Sequence, residues 1–260
     1  METFITFAKW LETAPGWIAG LPEWLQNLLY QLWQTFIYGD RWKFFVSGLK
    51  VTFIVTLGAL AMGVVIGLIV GIIRTAHDSR EDEKRSVILI ILNKICQVYL
   101  TVIRGTPMMV QLLIMGFVIM VPKTESGTVA CGIVTLGINS GAYVAEIARS
   151  GIMSISKGQT EAGRSLGLNY AQTMWYIIIP QAIKNILPAL GNEMITLLKD
   201  TSLVSVIALR DVTKQAQNIM SKTYQALVPY ISLALIYLVI VMILSKLLSL
   251  LERRLRKSDK

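Results

Sequence analysis

Glu193 and Asp200 stand seven residues apart in an otherwise largely apolar stretch. Seven residues make close to two helical turns, so both carboxyl groups share a face if one helix carries them. A carboxylate at mid-bilayer depth costs about 2.5–3.5 kcal/mol on insertion scales, so it faces a cavity or a partner. Two acids on one face suit an ammonium group. Asn139 and Tyr143, one turn apart on another apolar segment, are candidates for the facing wall. A purely structural arrangement competes: Glu193 pairing with Lys184 or Lys199, and Asp200 capping a following helix with Thr201 and Ser202.

Other chemistry has little support. His77 is the only histidine and sits in a charged loop. Cys96 and Cys131 lie in or beside apolar runs, with no spacing that suggests a disulfide framework or a metal site. No Gly-x-x-x-x-Gly-Lys-Ser/Thr run exists to cradle a nucleotide phosphate. The net charge of +9 comes without a basic face interleaved with aromatics, which argues against nucleic acid. The N-terminus carries Glu2 and Lys9 and lacks the basic-then-apolar pattern of a cleavable signal peptide.

The elements that must position these side chains are membrane spans. Apolar residues make up 54% of the chain and charged ones only 16%, and the apolar ones cluster in long runs, as in a polytopic all-α membrane protein. Residues 1–43 are amphipathic: after Pro22, Leu25, Leu28, Leu29, Leu32, Trp33 and Phe36 recur on one helical face. Trp10, Trp17, Trp24, Trp33 and Trp42 suit the headgroup layer, so this segment is expected to lie on the surface. The apolar region, residues 44–250, divides into about five spans. The first, 44–73, carries Gly63, Gly67 and Gly71 as a smooth stripe for close helix packing. Arg104-Gly105-Thr106-Pro107 divides the next segment into an elbow along the inner surface and a crossing over about 105–121. A third span covers 128–148. A fourth covers 173–198 and is expected to bend at Pro180 and Pro188. Residues 199–225 are expected to be external or partly re-entrant. The last span, 226–250, ends in a basic tail, 251–260. Five crossings with Lys and Arg gathered on loops 74–85 and 149–170 and on the tail put the N-terminus outside and the C-terminus in the cytoplasm.

The loop 149–170 contains a short helix of small residues, Glu161-Ala162-Gly163 with Ser165, and a glycine stop at Gly167. Small residues let a partner approach the backbone, Gly167 can take positive φ, and Glu161 is expected near the helix start, where the dipole favours an acid. Glu161-Ala162-Gly163, then Gly167, then Ile177-Ile178-Ile179-Pro180, resembles the EAA motif of the membrane subunits of ABC importers. Arg104-Gly105-Thr106-Pro107 with Gln111, Ala142-Tyr143-Val144-Ala145-Glu146-Ile147 with Arg149 and Gly151, Pro180-Gln181-Ala182, and Leu198-Lys199-Asp200-Thr201-Ser202-Leu203 resemble the signature of polar amino-acid permeases of the histidine/glutamine type. The likeness runs from about Gly48 to the C-terminus. Gly163 departs from the usual Ala of the motif, and Ile179 from the usual Leu.

The resemblance implies a type I importer (MetI-like) permease fold, with residues of about 156–168 as a cytoplasmic coupling helix docked in an ABC ATPase subunit dimer. It implies that ATP and Mg are bound by that partner, with no cofactor and no catalysis in this chain. It implies an extracellular solute-binding protein, a second permease subunit (identical or related), and a substrate pocket near Glu193 and Asp200. Two acids favour a cationic or neutral polar amino acid over an acidic one. A secondary transporter or channel is the main alternative, since acids within spans suit that class too; it would work without ATP. A non-transport scaffold and a membrane enzyme are weaker still, the latter for want of a nucleophile–base or metal cluster.

Overall fold

The structure, a computed structural model, describes residues 6–78 and 86–257, with side chains through residue 255. The charged residues Arg80 to Arg85 and the tail residue Lys260 lie outside the described residues.

Short helices come first: α1 (Phe7–Thr13), a 3-10 turn (Gly16–Gly20) and α2 (Glu23–Leu32), which begins directly after Pro22 and runs on through a π turn (Trp33–Ile37). They hold a small core of their own, Trp10, Ile18 and Tyr30, with Trp33 stacked on Tyr30. Trp10 is therefore buried in an aromatic cluster instead of meeting headgroups, while Trp17, Trp24 and Trp42 are exposed. Positive φ at Gly39 and Asp40 turns the chain into α3 (Trp42–Asp78). At 37 residues α3 is about 55 Å long and overruns the expected span at both ends. His77 stands in its last turn, not in the loop.

α4 (Val87–Gly105) starts under a Ser86 cap and stops where Thr106 turns extended before Pro107. α5 (Met108–Ile114) follows and continues through a π turn (Met115–Ile119). The break falls where its residue types put it. By length and composition, however, α4 is itself able to cross a membrane, and the apolar helix Met108–Ile119 is shorter than a span. α6 (Glu125–Met153) is capped by Thr124, whose hydroxyl accepts from Gly127 N at 3.1 Å. α7 (Lys157–Ser165) is separate. α8 (Tyr170–Thr173), a π turn (Met174–Ile178) and α9 (Ile179–Asp200) form one helical run. The π turn ends two residues before Pro180, whose missing N–H and ring disrupt the preceding turn. A 3-10 stretch (Thr201–Ile207), α10 (Val212–Thr223) and α11 (Leu227–Lys257) complete the described chain.

Among the described residues four helices, α3, α4, α6 and α11, are long and apolar enough to cross a membrane. α9 has the length, but Lys184, Glu193, Lys199, Asp200 and two prolines lower its hydropathy. Counted with α9, the all-α chain has about five spanning helices.

Contacts group the residues into two units, one of residues up to Val51 with Arg210–Val239, the other of Thr52–Leu209 with the chain from Ile240. In the first, Phe45, Val212, Ala216 and Ile219 form a core, and Gly48 lies against the backbone of Asp211 and Val212. In the second, the glycine stripe of α3 packs along α6. A Cβ at Gly63 would stand 2.8 Å from Ser140 Oγ, and one at Gly67 would stand 2.5 Å from Val144 Cβ and 2.8 Å from the Ala145 nitrogen. Gly71 meets Ala145 and Ala148 in the same way. Without side chains on one partner the two backbones approach closely, which is how helices associate where lipid removes the hydrophobic driving force. Cys96, Leu100 and Val70 join Ala142 and Ala145 in the adjoining core.

Candidate functional site

α9 continues without interruption through Asp200, so Glu193 and Asp200 do share a face. Glu193 Oε1 accepts a hydrogen bond from Ser140 Oγ at 2.7 Å. Ser140 is 1% exposed and also lies under Gly63, so α3, α6 and α9 meet at this hydroxyl. Both acids are half-buried, and neither forms an ion pair among the described residues. The competing structural arrangement is thus absent there, and Asp200 makes no capping bond to the 3-10 stretch after it. Sequence reasoning missed Ser140. Its signal is a hydroxyl inside the small-residue run Gly137-Ile138-Asn139-Ser140-Gly141, where a buried polar group must find a partner.

Asn139 and Tyr143 do not join the acids. Asn139 Nδ2 donates to Gln111 Oε1 at 3.0 Å, and Gln111 Nε2 donates to Ile103 O at 2.7 Å and Thr106 Oγ1 at 2.8 Å. This amide network ties the broken α4–α5 corner to α6 and satisfies a carbonyl left over at the end of α4. Tyr143 lies beneath the Arg104 guanidinium, 5.5 Å from cation to ring centre. The reason for the split is helical phase. Positions 139 and 143 lie about 100° and 60° round α6 from position 140, on the same side of it and about 40° apart. They turn to α4 and α5 while Ser140 turns to α9.

At the base of α6, Arg149 binds Glu146 Oε1 through Nη2 (2.6 Å) and Nε (3.2 Å), the pairing their spacing suggests. Its Nη1 reaches Asp78 at 3.4 Å, joining the ends of α6 and α3.

α7 is nine residues long and ends in a Schellman motif: Gly167 N donates to Arg164 O at 3.0 Å and Leu168 N to Gly163 O at 3.1 Å, with Gly167 at φ +81°. The glycine stop works as the residue type requires. Two expectations need correction. Glu161 is the fifth residue of α7, not part of its first turn, because the helix starts at Lys157. Gly163 faces its own chain: it is buried, and a Cβ there would stand 2.7 Å from Thr173 Cγ2 and 3.0 Å from Ile177 Cδ1. The departure from Ala in the motif therefore seats α7 on the helical run 170–200. Glu161, Ala162, Ser165 and a 79%-exposed Leu166 are left open on the other side.

Residues 87–257 match the family model described as the binding-protein-dependent transport system inner membrane component. The chain belongs to this family. It is accordingly a multi-pass inner-membrane permease and a transport subunit, not a catalyst. It is 38% identical over 213 residues to the glutamine transport system permease protein GlnP of Escherichia coli K12, covering 81% of this chain and 92% of that one. It is also 38% identical over 219 residues to the arginine transport system permease protein ArtQ of Bacillus subtilis 168, covering 83% and 94%. Among solved structures, an amino acid ABC transporter with histidines matches at TM-score 0.73 and 42% identity over 90% of this chain and 99% of that chain. The methionine ABC transporter MetNI, at TM-score 0.68 and 18% identity over 84% and 98%, shares the permease fold.

Proposed function

We propose that this permease is the membrane subunit of an ATP-driven ABC importer and carries a polar amino acid, cationic or neutral, into the cell. The relatives for glutamine and arginine support the substrate class. The observation that carries the reading is the pair of half-buried acids on α9. Glu193 is held by Ser140 where three helices meet, Asp200 follows two turns later, and neither has an ion-pair partner among the described residues. Such a surface suits the ammonium end of an amino acid and repels an acidic side chain.

In this reading ATP and Mg bind a separate ATPase dimer, which holds α7 through Glu161, Ala162, Ser165 and Leu166. A binding protein outside delivers the solute. A second permease subunit, identical or related, completes the pathway, and the partners shift it between two states of access. The N-terminus lies outside and the C-terminus inside. Residues 1–43 rest on the outer interface, residues 44–250 form the permease domain, and 251–260 is a basic cytoplasmic tail.

The test is uptake by proteoliposomes holding the complete complex. Glu193→Gln and Asp200→Asn are expected to lower uptake while the ATPase subunits still co-purify. Unchanged uptake in both variants removes the acids from the site. Ion-driven uptake by this chain without an ATPase would refute the ATP-driven reading.

A further inference from the structure

Arg74 of α3 and Arg104 of α4 open into one cavity of about 580 Å³, lined also by Gln97, Thr101 and Tyr143. Among the described residues neither guanidinium is in an ion pair. The buried Arg74 Nε has no hydrogen-bond partner among the described residues. Arg104 lies on the Tyr143 ring, which holds its fork without neutralising it. Glu146, whose charge reaches both arginines, is already bound twice by Arg149. Two like charges facing one partly desolvated space, one with an unmatched donor, are costly unless an anion completes the site. The guanidinium fork matches the paired oxygens of a carboxylate or phosphate, and the Gln97 amide and Thr101 hydroxyl add neutral donors.

We propose that this cavity is an oxyanion site, holding a carboxylate or phosphate monoanion between Arg74 and Arg104. Two sources share that chemistry. One is the α-carboxylate of the transported solute, a source that rests on the amino-acid reading above. Tyr143 stands about 4.5 Å along the α6 axis and about 60° round it from the Ser140 that holds Glu193, so the arginine cavity and the Glu193 acid occupy neighbouring positions of one helix. The other is the phosphodiester of an anionic lipid, independent of that reading. Ile95, Val98 and Val102 are exposed on α4 and offer acyl chains an apolar track on the helix that supplies Gln97 and Thr101.

The experiment uses the permease assembled with its ATPase subunits in nanodiscs of phosphatidylcholine, with and without phosphatidylglycerol. Wild type, Arg104→Gln, Arg74→Gln and Arg104→Lys are compared. The probes are glutamine and arginine, each against its carboxamide, titrated calorimetrically, with retained phosphatidylglycerol counted by native mass spectrometry. A carboxylate ligand predicts that Arg104→Gln weakens amino-acid binding roughly ten- to a hundredfold and leaves the carboxamides unchanged. A lipid ligand predicts that both Gln variants lose bound phosphatidylglycerol and keep amino-acid affinity. Arg104→Lys restores part of either effect, which a packing defect would not allow. Arg104 is exposed, so its replacement leaves the core intact, and co-purifying ATPase reports assembly. The proposal is overturned if both Gln variants bind amino acid and phosphatidylglycerol as wild type does. Arginine-dependent lipid retention in a wild type that binds no amino acid keeps the oxyanion site and sinks the transport reading. Normal wild-type amino-acid binding with indifferent variants does the reverse.

Discussion

Gly163 seats α7 on Thr173 and Ile177, and Gly163→Leu tests whether that seat serves the coupling proposed for α7. A methyl group added at 163 would already stand 2.7 Å from Thr173 Cγ2 and 3.0 Å from both Thr173 Oγ1 and Ile177 Cδ1. Thr173 cannot swing away cheaply: it is fully buried, stiff at χ1, and its hydroxyl donates to Asn169 O at 3.0 Å. For Ala, overpacking of about 1–3 kcal/mol is set against a helix-propensity gain of about 1 kcal/mol, so the net cost is about 0–2 kcal/mol. That small figure fits the similarity of the loop to motifs with Ala in this place. Leu adds three more heavy atoms where no room is left and reaches about 3 kcal/mol or more, roughly a hundredfold against the seated α7. The α3–α6 crossing lies elsewhere and is untouched, so the variant folds and inserts. The assay is ATP hydrolysis by the reconstituted complex, with and without loaded binding protein, beside solute uptake. Gly163→Leu is expected to keep basal hydrolysis, lose stimulation and lose most uptake; Gly163→Ala is expected to stay close to wild type. Full stimulated uptake by Gly163→Leu would show that the contact of α7 with Thr173 and Ile177 transmits nothing.

The crossing of α3 and α6 predicts a stability effect without a local functional one: Gly67→Leu meets the Ala145 backbone nitrogen, which no side-chain rotation relieves, and should lower the unfolding midpoint by an amount equivalent to about 1–3 kcal/mol or more. Gly20→Ala, with nothing within 4 Å, is the control that should leave it unchanged. The Gln111–Asn139 bond predicts non-additivity: Gln111→Leu and Asn139→Leu should each destabilise, and the double variant should cost less than their sum by about 0.5–1.5 kcal/mol, as chemical unfolding can measure. Asp211 caps α10 through Thr213 N and Lys214 N, yet burial pushes its carboxyl from an ordinary 3.8 up to about 6. Between those values the folded state holds the extra proton, so the stability from this group is complete below about pH 4 and is lost as pH rises through about 6. Hydrogen exchange of α10 should therefore speed up from pH 5 to pH 7 beyond the intrinsic chemical increase, and Asp211→Asn should abolish that excess; an equal excess in both proteins would contradict it.

The sequence made some of this legible because the governing physics is local. A glycine every fourth residue on α3 can only be a smooth stripe, and it packs as one. Gly167 ends a helix because few other residues take positive φ so readily. The break at Thr106–Pro107 follows from proline sterics. What stayed hidden depends on phase and register between helices. Asn139, Ser140 and Tyr143 lie within four residues, and nothing in their types says that Ser140 alone turns to α9. Gly163 reads as a small residue open to a partner until the return of α8 and α9 is known. Glu161 looked like a first-turn acid because Lys157-Gly158 gives no strong start signal, and Ser156 at the cap position makes no side-chain capping bond. In the N-terminal segment, Trp10 resembles the other tryptophans by type and spacing, and only the fold back of α2 buries it.

These placements combine into a single mechanical path. The helical run 170–200 carries the α7 seat at Thr173 and Ile177 and, sixteen residues beyond Ile177, the carboxylate of Glu193, a separation of about 24 Å along the axis. Gly151 on α6 lies against Ile186 on α9 between those points, and Ser140 grips Glu193 at the far end. A rigid helix moves as a body, so a displacement of α7 has two outlets: it shifts the Glu193–Ser140 contact, or it is absorbed at the π turn Met174–Ile178 beside the seat. The turn has looser hydrogen bonding than the α-helix around it and lies next to Pro180, so it is the softest point on the path. Pro180→Ala restores the missing N–H and stiffens that point. If the turn is where motion is absorbed, the variant should leave nucleotide-free binding of the solute unchanged and alter the rate at which ATP changes it. If α9 moves as one piece, both should stay as they are, and the Glu193–Ser140 contact is then the element that must break in every transport cycle.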